Sequence, residues 1–308
     1  MTANRVLVLD GHTTQALASV RSLGRAGYVV LVASTRGWPL AGWSRWCAGH
    51  FRVASETPAA FADLRDWARR QGVTSVLPMT EPSCLLCTAD RSAWEAAGIM
   101  LGCGDDEMLS RAFDKAQTLQ AALTCDVAIP PTWFPTSAEE CRTGAEEVGF
   151  PCVVKSRFSH ALIGSSFIRG GGASYVARAA DLDQAIQAHR QGSYWPIIQA
   201  FVGGQGKGVS GLCDRGRIVA LFAHERLRDV RPTGSGSSLR RSIRLDARLR
   251  APVERLLTEL RWHGPVMVEF RDDGEDALWL MEVNGRFWGS LQLAVSSGVD
   301  VPRWLVAM

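Results

Sequence analysis

The 308 residues, 46% hydrophobic and 21% charged, suffice for two or three globular lobes with separate cores. A formal charge of +3 excludes the basic footprint of a nucleic-acid binder, and no run spans a membrane without charges. The start, Met1 to Arg5, lacks the pattern of a signal peptide, so a cytoplasmic protein is expected.

Residues 5–9 read as a buried strand, a helical pattern carries Leu17, Val20, Leu23 and Ala26 to a stop at Gly27, and Tyr28 to Ala33 is a second strand. This βαβ unit implies parallel strands. Phe61 to Gln71 reads as a helix and Ser75 to Met79 as another strand, so residues 1–103 form an α/β lobe. The first turn, DGHTTQA, lacks the glycines by which a backbone approaches a dinucleotide pyrophosphate. His12 and Glu81 lie near strand ends, where open α/β sheets put ligands. Cys84 and Cys87 form one C-x-x-C with no second pair, which reads as reduced, partly buried thiols rather than a zinc or redox site.

A second lobe is expected over 104–196. Residues 105–125 have one helical pattern, capped by Asp105, and a helix near 137–148 closes at Gly149. Cys152 to Lys155 is a strand, and a helix lies near 181–190. Gly170-Gly171-Gly172 is either a loop whose amides can approach an anion or a plain hairpin turn. The third lobe, 197–308, is strand-rich: 197–202, 208–213, 217–223, 265–271 and 277–283, with a helix at 247–260 and a polar loop at 231–238. Lys207, in GGQGKGV, lacks the P-loop pattern and reads as a turn.

The last two strands carry the strongest signal, PVMVEFRDDGEDALWLMEVNGR. Folding them about residues 274–277 sets 271 against 280 and 269 against 282. Glu269, Glu282 and Asn284 then share one face. Opposed carboxylates with an amide oxygen suit magnesium, while a solvated acidic face is the plainer alternative.

The continuation, Gly285-Arg286-Phe287-Trp288, makes Glu-x-Asn-x-Arg after a strand ending in Glu. This resembles the metal site of ATP-grasp enzymes, most closely the carboxylate–amine ligases related to carbamoyl-phosphate synthetase. The resemblance implies a parallel-sheet α/β lobe followed by two α+β lobes clasping ATP. It assigns Glu269, Glu282 and Asn284 to two magnesium ions (manganese as an alternative) and Arg286 to the γ-phosphate. Lys115 in FDKAQT and Lys155 in PCVVK, two of only three lysines, match the nucleotide lysines. Gln199, Ala200 and Val202 match the adenine strand, although many relatives have Glu where Ala200 stands. Arg226 and Arg228, with the 233–238 loop, resemble substrate-side elements, since arginine forks suit carboxylates and phosphates; a solvent-facing strand edge and linker is the plainer alternative, and Arg226 is preferred over Arg228.

The implied activity joins a small carboxylate to an amine, amino acids included, through an acyl phosphate, with a homodimer as the default assembly. Phosphoryl transfer without amide formation and nucleotide sensing without turnover are the alternatives. Relatives usually continue beyond the metal motif, whereas this sequence stops at Met308; a covering partner chain or a shortened protein would each account for that.

Overall fold

The computed structural model describes residues 4–230, 236–275 and 277–308. A parallel sheet comes first, with strands β1 (Arg5–Val8), β2 (Val29–Ser34), β3 (Cys47–Arg52), β4 (Val73–Leu77) and β5 (Met100–Leu101) in the order β3-β2-β1-β4-β5. Its crossover segments include α1 (Thr14–Arg25), α2 (Pro58–Arg70), α3 (Glu81–Thr88) and α4 (Arg91–Ala96). The middle strand is apolar because it is covered on both faces: Val6, Leu7 and Val8 are fully buried. Asp10, in a left-handed turn (φ 52°), aims its carboxylate at the start of α3. It accepts hydrogen bonds there from Met79 N (3.1 Å), Thr80 Oγ1 (3.0 Å) and Ser83 Oγ (2.6 Å). The DGHTT turn therefore caps a helix with a side chain.

The single helix expected over 105–125 is two helices, α5 (Asp106–Phe113) and α6 (Lys115–Thr124), broken at Asp114 (ψ 104°). The reason is electrostatic. Buried Asp114 caps α6 at the Ala116 amide and forms a bidentate pair with Arg157, at 2.7–2.9 Å. The break sets Lys115 at the start of a helix. Asp105 caps α5 through Met108 N at 2.8 Å.

After β6 (Thr132–Trp133) and α7 (Ala138–Val148), strands β7 (Cys152–Lys155), β8 (His160–Ile163), β9 (Ser166–Arg169) and β10 (Ala173–Val176) follow, then α8 (Leu182–His189) and β11 (Ile197–Ala200). A four-stranded antiparallel sheet has the order β10-β7-β11-β6, while β8 and β9 form a separate hairpin that the sequence reading lacked. Gly170–Gly172 joins that hairpin to β10. The glycines link two different sheets, so they are no hairpin turn. Gly170 has no room for a side chain, since a Cβ would lie 2.2 Å from the Phe158 carbonyl.

The third large sheet is antiparallel: β12 (Gln205–Asp214), β13 (Arg217–Asp229), β14 (Ser237–Ile243), β15 (Gly264–Asp272) and β16 (Leu278–Asn284), ordered β14-β13-β12-β15-β16 and backed by α9 (Ala247–Glu259). Lys207 lies inside β12 and pairs with Asp272, not in a turn. Short helices α10 (Leu291–Ser296) and α11 (Val301–Ala307) return to pack beside α1. Leu291, Val301 and Leu305 share a core there with Val20, Leu23 and Trp288. Among the described residues no helix is long and apolar enough to cross a membrane.

The last hairpin sets Glu269 against Glu282 as expected, but by another route. Asp272 opposes Leu278, Arg271 opposes Trp279 and Phe270 opposes Leu280, and a bulge at Met281 then restores the pairing. Leu280 is consequently on the core side, fully buried beside Phe270, rather than on the acidic face.

Candidate active site

One large cleft, of about 1790 Å³ open to solvent, is lined jointly by the middle sheet, the start of α6 and the last sheet. Ten of the residues singled out above border it: Lys115, Lys155, Gln199, Ala200, Val202, Arg226, Glu269, Glu282, Asn284 and Arg286. Sequence separations of up to 171 residues, from Lys115 to Arg286, collapse into one chamber.

Each strand delivers its residue for a local reason. Lys155 ends β7, where the strand leaves its core, and donates to Gln199 Oε1 at 2.6 Å. Gln199 is fully buried and donates in turn to Thr132 Oγ1 at 2.8 Å, so it positions the lysine. Burial lowers the Lys155 ammonium to about 8, with Lys115 and Arg271 adding to the effect and Glu282 opposing it. Lys115 reaches Ser159 Oγ at 3.0 Å. The Ala200 amide is taken by the Pro131 carbonyl at 2.8 Å.

Glu269 and Glu282 face each other from β15 and β16. Burial raises Glu269, and the Glu282 charge raises it further. Burial also works against Glu282, yet Lys115, Glu269 and Asn284 hold it well below the usual carboxylate range. The two carboxylates thus differ: Glu282 is held ionised, while burial and its neighbour's charge push Glu269 toward protonation against the pull of Arg226. Asn284 donates to Glu282 at 3.2 Å and accepts from Arg286 at 2.8 Å. Arg226 forms an ion pair with Glu269.

Among the described residues no group of three His, Cys, Asp or Glu side chains forms a metal site. Two opposed carboxylates beside an amide are a hard-oxygen donor set all the same. Such a set suits an ion that completes its shell with water and phosphate oxygens, as magnesium does.

Glu81 sits at the inner border of this chamber, between His160 Nδ1 (3.4 Å) and Arg286 (3.5 Å). His160, Arg286 and Lys115 hold its carboxyl below the ordinary value against the burial that would raise it. His12 instead faces Ser34 Oγ at 3.3 Å, among residues apart from the cleft lining. Arg228 is exposed and is not part of the cleft lining. Of the polar loop, residues 231–235 lie outside the described residues, and Gly236 borders the cleft.

Sequence reasoning missed Ser159, Asp229, Arg240 and Arg271, which also line it. For Arg240 the available signal was strand alternation. Arg241, its neighbour, turns outward to pair with Glu225, so Arg240 turns in.

Solved structures share this architecture. An L-amino acid ligase from Bacillus licheniformis matches with a TM-score of 0.74 at 15% identity, over 98% of this chain and 73% of that one. The chain has the ATP-grasp fold. Biotin carboxylase from Campylobacter jejuni, in its β-γ-ATP complex, gives a TM-score of 0.74 at 16% identity, covering 98% of this ATP-grasp chain and 70% of its own. N5-carboxyaminoimidazole synthetase from Staphylococcus aureus, complexed with ADP, gives 0.72 at 14% identity, with 98% and 77% covered. A family model described as "ATP-grasp in the biosynthetic pathway with Ter operon" matches residues 197–308, the part of this ATP-grasp chain that carries the Glu269–Glu282 hairpin. No curated protein sequence matches.

Proposed function

We propose that this chain is an ATP- and magnesium-dependent ligase that activates a small carboxylate as an acyl phosphate and joins it to an amine, releasing ADP and phosphate. The observation that carries the reading is the convergence of Lys115, Lys155 and Arg286 with the Glu269–Glu282 pair in one cleft. Structural neighbours agree with it: one is an L-amino acid ligase, and others are complexes with ADP or ATP. A three-lobe division at 1–103, 104–196 and 197–308 belongs to the same reading.

Phosphoryl transfer needs positioning and charge neutralisation more than covalent chemistry. Lys155 and Lys115 hold the phosphates by charge, and adenine rests against the segment from Gln199 to Val202. Glu269, Glu282 and Asn284 would hold magnesium, which when bound neutralises phosphate oxygens and aligns the transferring group. Arg286, fixed by Asn284 and Glu81, meets charge developing on the γ-phosphate. A carboxylate oxygen attacks the γ-phosphorus, the bond to ADP breaks, and an acyl phosphate results. The amine nitrogen then attacks the acyl carbon, the carbon–oxygen bond breaks, phosphate leaves, and the nitrogen loses its proton.

The test is product release from ATP and magnesium with pooled L-amino acids. ADP and phosphate that rise only when carboxylate and amine are both present support the ligase. AMP and pyrophosphate, or release indifferent to the amine, count against it.

A further inference from the structure

The cleft holds more positive charge than its nucleotide needs. Its lining cations are Lys115, Lys155, Arg226, Arg240, Arg271 and Arg286. Facing them are Asp229, Glu269 and Glu282, with Glu81 at the inner border. Six cations thus meet four acids. ATP brings about four negative charges, which two divalent ions cancel, so the nucleotide leaves this surplus of two untouched. A substrate with one carboxylate removes only half of it.

The uncompensated charge is localised at Arg240. It stands directly opposite Arg226 in the β13–β14 ladder, a like-charged pair on adjacent strands. Arg226 takes the available acids, pairing with Glu269 and lying 3.9 Å from Asp229. Arg240 makes no ion pair or hydrogen bond among the described residues, and its Nε is buried without a partner. A guanidinium so placed is costly unless an anion arrives to meet it. Burial, and then Arg226, work against its charge.

Arg240 stands on the edge strand β14, with β13 and β12 between it and β15, the strand of Glu269. The charges that act on it are Arg226, Glu269 and Asp229. Those that act on Lys155 are Glu282, Lys115 and Arg271. The two sets share no member.

Resting on the ligase reading, we propose that the carboxylate substrate carries a second anionic group, and that Arg240 is the residue that reads it. The reacting carboxylate lies beside Glu269 and Arg226, and the second anion, a carboxylate or a phosphate, reaches outward along β14 to Arg240.

Thermal shift of the whole protein tests this without knowledge of the natural substrate. Malonate, succinate and glutarate are titrated against propionate, butyrate and valerate, with AMP-PNP and magnesium present and again without nucleotide. At one chain length the dianion is expected to reach its half-effect at about tenfold lower concentration than the monoanion. Arg240→Gln should erase that preference. Arg240→Lys, which keeps a charge in place and so protects folding, should weaken it severalfold because the fork is lost. Phosphonoacetate against malonate tells which second anion is preferred. Equal response to mono- and dianions at all three lengths, or a preference unchanged in either variant, overturns the proposal. Failure of AMP-PNP with magnesium to stabilise the protein would instead overturn the nucleotide reading, and the nucleotide-free titrations would still report on Arg240.

Discussion

The two ends of the cleft are built on different principles. At the inner end every charge has an answering neighbour: Lys155 on Gln199, Lys115 on Ser159, Glu282 on Asn284, and Glu81 between His160 and Arg286. These residues come from five separate stretches of chain. At the outer end one sheet supplies Arg226, Arg240, Asp229 and Glu269, and Arg226 takes both acids, so Arg240 has no side-chain partner among the described residues. The inner end is organised without a ligand, while the outer end, on the proposal above, is completed by one. The sharpest way to break it is Glu282→Gln. Removing one carboxylate of the opposed pair should lower magnesium-dependent turnover about a hundredfold or more, as losses of charge-stabilising groups do. The melting temperature should hold or rise, because two buried carboxylates no longer oppose each other. Undiminished ADP release from this variant would remove the hairpin from the metal site.

Lys155 sharpens the comparison next. Lys155→Ala should weaken AMP-PNP binding about tenfold and leave the monocarboxylate midpoint within about twofold, since one fully formed charged hydrogen bond is lost only at the inner end. Its pH dependence has a definite sign. In the free protein burial lowers the ammonium to about 8, and bound phosphate favours the protonated form. Affinity is therefore highest well below pH 8 and declines above it, by about fivefold at pH 9 if complete loss of the charge costs tenfold. Calorimetry across pH 6.5 to 9 should show this in the native protein and a flat profile in Lys155→Ala. A flat native profile would mean that another cation holds the phosphates.

How far the sequence revealed this can be judged residue by residue. Period-two alternation in the last hairpin put Glu269, Glu282 and Asn284 on one face, and the facing of the two glutamates survived an error in register because the Met281 bulge absorbs one residue. Bulges are not written in alternation, so Leu280 was placed on the wrong face. The break between α5 and α6 was illegible for another reason. Its cause, the Asp114–Arg157 pair, spans 43 residues, and helical periodicity across residue 114 hides it. The β8–β9 hairpin lacked a strong apolar pattern because its residues are only partly buried. Arg240 escaped because Leu239-Arg240-Arg241 offers two equivalent arginines, and only the sheet decides which one turns inward.

The smallest effect expected is that of His12→Ala, and it bounds the comparison from outside. A residue at the end of a parallel strand is a natural candidate for ligand contact. Here the imidazole is committed to Ser34 Oγ at 3.3 Å, and that hydroxyl also receives the Arg36 amide at 3.1 Å. The cluster steadies the loop after β2 and stands apart from the cleft lining. Its loss should cost roughly 1 kcal/mol of stability, one hydrogen bond's worth, and change AMP-PNP affinity and turnover by less than about twofold. A tenfold fall in turnover with unchanged nucleotide affinity would give a different picture. The parallel-sheet lobe would then contribute a third, substrate-facing end, and the charge surplus at Arg240 would have to be weighed with His12 included.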